Sequence, residues 1–189
     1  MSGAELPLGR LIVDPSVFLA PGAIVCGDVH IGADSSGWFH AVIRGDTDSI
    51  RIGAQTNVQD LTVIHVDEGS PAIIGDRVTI GHRALIHGCV IEDDCLIGMG
   101  ATVLSGARIG TGSLLGAGTL VLERQIIPPG SLVVGAPARI AGEVQQAHRE
   151  AIERGTTHYR SLARDYLLKG FGQPIPSPGG AAMGGGAPR

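Results

Sequence analysis

The sequence has 189 residues, of which 30 are glycine, and its formal net charge is −4. Apolar residues make up 43% of the chain but aromatic residues only 3%, which excludes a core built around large rings. The acidic balance argues against nucleic acid as a partner, because phosphate binding needs clustered lysine and arginine. Three cysteines, an odd number, do not favour a disulfide framework. No apolar run is long enough to cross a membrane, so we expect a soluble, cytoplasmic protein with no membrane partner.

A six-residue repeat organises most of the chain. Each repeat begins with Ile, Leu or Val, commonly continues with Gly, and often has a small residue at its fifth position. The repeats start at Leu19, Val25, Ile31 and Ile43, then at Ile52, Val58 and Ile64, then at Ile74, Ile80 and Ile86, and continuously from Ile91 to the repeat VVGAPA. A three-residue insertion after Asp48, a four-residue insertion after Val66 and a one-residue deletion at Val90 separate these groups.

This period predicts an all-β fold, a parallel β-helix. An amphipathic helix has a period of 3.6 and a strand a period of 2, and neither places one aliphatic residue inward every six. Three short strands joined by three tight corners do so, and such coils stack at about 4.8 Å. A glycine-rich β-sandwich is the alternative, but it would show period-2 alternation and hairpin turns.

Three segments follow from the end of the repeat. We expect residues 1–141 to form the β-helix domain. Residues 142–169 are charged and helix-prone, and we expect a C-terminal α-helix packed on the prism, with a break at Gly155. Residues 170–189 are rich in glycine and proline, a composition typical of a disordered tail.

The repeat also assigns polar residues to the three faces of the prism, called A, B and C, if the insertions leave it as loops. The second positions of the face C repeats form a vertical column: Cys26, Arg44, His65, His87 and Leu104. The third positions of the face B repeats form another: Phe39, Asp60, His82 and Met99, with Gln59 beside Asp60. Trp38, next to this second column, is expected to pack at an interface between subunits.

Two histidines one coil apart can bring their nitrogens to a little over 3 Å, which suits one tetrahedral zinc. His82 lies on a different face and cannot join His65 and His87 within one chain. In a cyclic trimer, face C of one subunit meets face B of the next, which supplies the third histidine and brings Arg44 level with the partner subunit's Asp60. Three neutral histidines leave one zinc position for water, whose pKa falls to about 7. Zinc-bound hydroxide suits a small electrophile such as carbon dioxide, and Gln59 and Asn57 are placed to orient it.

At these residues the sequence resembles the γ-class carbonic anhydrase family. The matching stretches are VIRGD (42–46), IGAQTNVQD (52–60), the His of TVIHV, IGHRALIHGC (80–89), LIGMGATVL (96–104) and IPPGSLVVGAPA (127–138). The resemblance implies a left-handed β-helix, a homotrimer, and reversible hydration of carbon dioxide to bicarbonate at a zinc ion, with iron or cobalt as other metals.

The resemblance also implies roles for individual residues. His65, His87 and the partner subunit's His82 would hold the metal, and Arg44 would pair with the partner subunit's Asp60. Gln59 and Asn57 would line the metal-bound water. Tyr159 matches a tyrosine that faces the site from the C-terminal helix, although it could simply pack that helix.

The sequence departs from the family pattern at the proton-transfer residues. Thr47 stands where the fully active archetype of the family carries glutamate after the Arg-Gly-Asp stretch, and the loop 67–73 is short, with Asp67 and Glu68 as its acids. Two alternatives therefore stay open. One is an acyl-CoA thioesterase or acyltransferase-like enzyme. Such an enzyme needs a basic groove for the phosphates of coenzyme A, and the sequence places no Lys or Arg cluster near the columns to form one. The other is a non-catalytic metal- or siderophore-binding trimer of the ferripyochelin-binding-protein type.

Overall fold

The structure, a computed structural model, describes residues 10–172 of the chain. The expected disorder of residues 173–189 therefore lies outside the described residues. Within them the chain forms the predicted parallel β-helix, whose face B has seven stacked parallel strands, followed by one helix.

Each face of the prism is a stack of short strands, one per coil. Face A contains β1 (Ile12–Val13), the second half of β3 (Ile24–Ile31), the second half of β5 (Val42–Ile52), β8 (Ala72–Ile74), β11 (Val90–Ile91), β14 (Arg108–Ile109) and β17 (Ile126–Ile127). Face B contains β2 (Phe18–Leu19), β4 (Ser36–Gly37), β6 (Asn57–Val58), β9 (Thr79–Ile80), β12 (Leu96–Ile97), β15 (Leu114–Leu115) and β18 (Ser131–Val134). Face C contains the first halves of β3 and β5, then β7 (Val63–His65), β10 (Leu85–His87), β13 (Thr102–Val103) and β16 (Leu120–Val121).

The register of these strands follows the sequence repeat. Ile43 pairs with Ile64, Ile64 with Ile86, and Ile86 with Val103, each one coil further along. These inward residues are buried and form one continuous aliphatic core. Coils approach closely where the repeat has glycine: a Cβ on Gly98 would lie 2.6 Å from backbone atoms of the next coil. Residues larger than glycine are therefore excluded there.

The two insertions are accommodated differently. The three-residue insertion does not leave as a separate loop, since β5 runs through it and its pairing with β3 shifts between Gly27 and Val29. The four-residue insertion forms a turn closed by a bridge between Asp67 and Ser70. In both cases pairing resumes in the predicted phase, so the face assignments are unaffected.

The prism ends in an antiparallel strand and a long helix. Strand β19 (Arg139–Glu143) pairs with β18, and α1 (Gln146–Leu168) then runs back along face B. The helix does not break at Gly155. A Cβ at Gly155 would lie 3.0 Å from Oγ1 of Thr79, so the glycine permits close packing on the sheet. Within residues 10–172 no helix has the length and apolar character that crossing a bilayer requires.

Five of the six aromatic residues form one cluster between α1 and face B: Phe18, Trp38, Phe39, Tyr159 and Tyr166. The sixth, Phe171, follows the helix, is largely exposed and contacts Tyr166. Trp38 is 3% exposed and packs edge-on against Tyr159 and Tyr166. The prediction that Trp38 packs between subunits is therefore wrong, because α1 of the same chain already buries it.

Candidate metal centre

Two histidines converge on the outer surface of face C. His65 and His87 are direct partners in the pairing of β7 with β10, and Nδ1 of His65 lies 3.1 Å from Nε2 of His87. Two nitrogens bound to one tetrahedral zinc at 2.0–2.1 Å lie about 3.3–3.4 Å apart. The two nitrogens therefore already have nearly the separation that a shared metal ion requires.

The other nitrogen of each histidine has a polar partner. Nε2 of His65 lies 3.0 Å from Oδ1 of Asp46, and Nδ1 of His87 lies 2.9 Å from Oγ of Ser105. Arg44 donates to the second oxygen of Asp46. The Arg44 guanidinium, with a smaller contribution from His65, holds the pKa of Asp46 below its ordinary value. Asp46 is thus a carboxylate that can accept a hydrogen bond from Nε2–H of His65, which leaves the lone pair of the His65 ring on Nδ1.

His82 lies at the edge of face B, apart from this pair. Its Nδ1 is 2.8 Å from Oδ2 of Asp60, and its Nε2 is 3.3 Å from the Tyr159 hydroxyl. Within residues 10–172 no three His, Cys, Asp or Glu side chains of one chain form a metal site. The structure thus brings His65 and His87 together and keeps His82 separate.

The two predicted amide residues are joined in a buried hydrogen-bond chain. Nε2 of Gln59 donates to Oδ1 of Asn57 at 3.1 Å, and Nδ2 of Asn57 donates to Oγ1 of Thr79 at 2.9 Å. Oε1 of Gln59 accepts from the backbone N–H of His82 at 3.2 Å. These bonds fix both amide orientations, and one N–H of Gln59 has no hydrogen-bond partner among residues 10–172.

Tyr159 reaches His82 from α1. Burial, with a smaller effect of the Asp60 carboxylate, raises the pKa of Tyr159 above its ordinary value. The hydroxyl therefore keeps its proton at neutral pH and can donate it in a hydrogen bond.

Arg44 and Asp60 do not meet within one chain. Arg44 pairs with Asp46, and Asp60 contacts His82. Each also lies on the face where the trimer hypothesis needs it, so their predicted contact between subunits stays a prediction.

The residues that depart from the family pattern also have structural partners. Thr47 donates its hydroxyl to the carbonyl of Val66 at 2.7 Å, which ties β5 to the start of the short turn. Asp67 is exposed, and its carboxylate lies 3.7 Å from Nδ1 of His87. The acyl-CoA alternative needs a basic site for phosphate groups. A surface cleft of about 450 Å³ near this turn is lined in part by Arg108 and Arg124, but Arg108 is already paired with Glu92.

The sequence interpretation missed Asp46, Ser105 and Thr79 as partners of the site. Asp46 could have been found, because it lies two residues after Arg44 in the same strand and alternate strand residues share a face. Ser105 and Thr79 carry no comparable signal, since hydroxyl residues are common throughout the repeats.

Comparisons with known proteins agree with this architecture. A model of the bacterial transferase hexapeptide family, with six repeats, matches residues 88–123. A hexapeptide transferase family protein from Anaplasma phagocytophilum has a solved structure similar to this one, with a TM-score of 0.80, 36% identity, and coverage of 82% of this chain and 92% of that chain. The N-acyltransferase AntD from Bacillus cereus is 17% identical with a TM-score of 0.66, which shows a shared fold alone.

Curated relatives identify the family more closely. The chain is 49% identical over 152 residues to "Probable carbonic anhydrase" of Methanocaldococcus jannaschii, covering 80% of this chain and 96% of that protein. It is 39% identical to "Carbonic anhydrase" of Geobacillus kaustophilus, covering 82% and 81%. It is 43% identical to "Gamma carbonic anhydrase 1, mitochondrial" of Arabidopsis thaliana, of which it spans 60%. The chain therefore belongs to the γ-class carbonic anhydrase family of hexapeptide-repeat proteins.

Proposed function

We propose that the protein is a metal-dependent carbonic anhydrase that interconverts carbon dioxide and bicarbonate at a site shared between subunits of a homotrimer. The observation that carries this proposal is the 3.1 Å separation of the facing nitrogens of His65 and His87. His82, on another face, has the chemistry of the missing third ligand, and family membership supports the reaction.

The donor set fits zinc, and iron or cobalt are the other candidates. Neutral imidazole nitrogen is a preferred ligand of all three metals. His65, His87 and the partner subunit's His82 would hold the metal. Bound there, zinc supplies a water with a pKa of about 7, a nucleophile available at neutral pH.

The chain's own residues would orient the ligands and the substrate. Asp46 and Ser105 hold the outer nitrogens of His65 and His87, which fixes the rings against rotation. The spare N–H of Gln59 can donate to a substrate oxygen, and Asn57 holds the Gln59 amide in the required orientation. Asp67 is an exposed carboxylate beside His87 and is the candidate for passing a proton to solvent.

The surface of face C supports an interface with another copy. Its outward residues Ile24, Val63 and Leu85 are 55%, 37% and 36% exposed and lie in one column beside Arg44 and the two histidines. An apolar stripe of this kind typically marks an interaction site. We expect Leu85→Asp to shift the trimer to monomers, as measured by light scattering, and to abolish zinc binding at the same time.

The decisive experiment is stopped-flow hydration of carbon dioxide by zinc-loaded and iron-loaded protein, with His87→Ala as the control and metal content measured in parallel. Activity that disappears in His87→Ala supports the proposal. Stoichiometric metal without any hydration would refute it and leave a non-catalytic metal-binding trimer. Thioester hydrolysis that survives His87→Ala would instead indicate the acyl-transfer alternative.

A further inference from the structure

His82 has both ring nitrogens engaged within its own chain. Its Nδ1 lies 2.8 Å from Oδ2 of Asp60, and a lone pair on Nδ1 would be repelled by the carboxylate at that distance. In the neutral ring the proton is therefore on Nδ1, and Nε2 carries the lone pair. That lone pair accepts the hydrogen bond from the Tyr159 hydroxyl, whose oxygen is 3.3 Å away.

Rigid packing holds Tyr159 in this place. Its ring meets Trp38 edge-on, with centroids 5.1 Å apart, and Trp38 is in turn fixed by a hydrogen bond from its indole N–H to Ser36. One turn earlier on α1, Gly155 rests against Thr79, where even a methyl group would be crowded. The helix thus has a defined position on face B, and the hydroxyl is directed at His82 by the fold.

We propose that Tyr159 competes with the metal for Nε2 of His82. The Asp60 carboxylate sets the tautomer of His82, and the Tyr159 hydroxyl occupies the Nε2 lone pair until a metal ion takes its place. The inference rests on the proposed function, because it takes the partner subunit's His82 as the third ligand. One lone pair cannot serve a metal and a hydroxyl proton together, so loading the site must break this hydrogen bond.

The test compares two conservative variants on the same helix. Tyr159→Phe removes the competing hydroxyl and keeps the ring that packs on Trp38. Tyr166→Phe is the matched control, since Tyr166 belongs to the same aromatic cluster and its hydroxyl makes no hydrogen bond within residues 10–172. Zinc affinity is measured by competition with a chromophoric chelator. A hydrogen bond of ordinary strength predicts that Tyr159→Phe binds zinc about 2–10-fold more tightly, while Tyr166→Phe is unchanged.

A spectroscopic readout separates release of the hydroxyl from a general change in stability. The chain has only two tyrosines, and loss of a phenol hydrogen bond shifts the near-ultraviolet absorption of the ring. Zinc addition is expected to produce a tyrosine difference spectrum in the wild-type protein and in Tyr166→Phe, but not in Tyr159→Phe. Weaker or unchanged zinc binding by Tyr159→Phe, or a difference spectrum that persists in it, would overturn the inference.

His87→Ala distinguishes this inference from the function on which it rests. If His87→Ala binds zinc as tightly as the wild-type protein, the proposed metal site is wrong and the inference fails with it. If His87→Ala loses zinc while Tyr159→Phe binds it no more tightly, the site stands and only the role given to Tyr159 is wrong.

Discussion

Replacing Asp46 by asparagine should weaken metal binding by His65 while leaving the fold in place. The carboxylate accepts from His65 at 3.0 Å on one oxygen and from Arg44 on the other. Asparagine offers only one acceptor oxygen, and arginine can only donate, so the amide oxygen turns to Arg44 and the amide nitrogen faces His65. The imidazole must then accept at Nε2, which moves its proton to Nδ1, the nitrogen that faces His87.

The expected effect on metal affinity is large. Loss of a hydrogen-bond partner that orients a metal-binding histidine typically weakens metal binding by about 10–100-fold. The effect here belongs at the upper end of that range, because the substitution reverses the tautomer of the ligand as well as removing its support. Asp46 is at the surface, so the thermal unfolding midpoint should change little.

Competition between the protein and a chromophoric chelator for zinc measures this change directly. Asp28→Asn is the matched control, because Asp28 also pairs with an arginine, Arg51, at 2.8 Å, but makes no hydrogen bond to a histidine within residues 10–172. We expect Asp46→Asn to lose zinc affinity and Asp28→Asn to retain it. Equal losses in the two variants, or affinity within twofold of wild type for Asp46→Asn, would refute the tautomer argument.

Three further predictions concern stability and reactivity. Ile86 is fully buried between coils, so Ile86→Ala should lower the free energy of unfolding in urea by about 2–5 kcal/mol. Burial raises the pKa of Cys89 and of Cys95 to about 12, so neither thiol should react with a disulfide reagent until the protein is unfolded. Hydrogen bonds from Thr111, then from Arg108, hold the pKa of Glu92 below 4.5. The ionised Glu92 therefore stabilises the fold above that pH, and this contribution is lost on acidification. In Glu92→Gln the free energy of unfolding should fall less steeply as the pH is lowered.

Each of these has a clear contrary result. An Ile86→Ala loss well below the stated range would mean that the coils collapse around the missing atoms. Rapid modification of both buried thiols in the native protein would show that the coils around β11 and β12 open in solution. An unchanged acid limb in Glu92→Gln would show that other carboxylates control acid unfolding.

The six-residue repeat by itself determined the fold and the arrangement of the faces. Each coil has three inward aliphatic residues, so the six-residue repeat can be aligned with the inward positions in only one way. Moving that alignment by one residue would turn every buried side chain outward. For this reason the column of Arg44, His65 and His87 could be read from the sequence, across two insertions whose shapes were unknown. Strand register then confirmed the column directly, since His65 pairs with Arg44 and with His87.

The tertiary structure alone decided which atoms meet. Side-chain rotamers and the position of the helix along face B determine three sets of contacts. These are the contact of Asp46 with His65, the contact of Asp60 with His82, and the packing of Trp38 beneath α1. A periodic pattern sets the direction of a side chain but carries no information about a helix that returns from the far end of the chain. The helix also continues through Gly155, because close contact with Thr79 outweighs the low helix propensity of glycine.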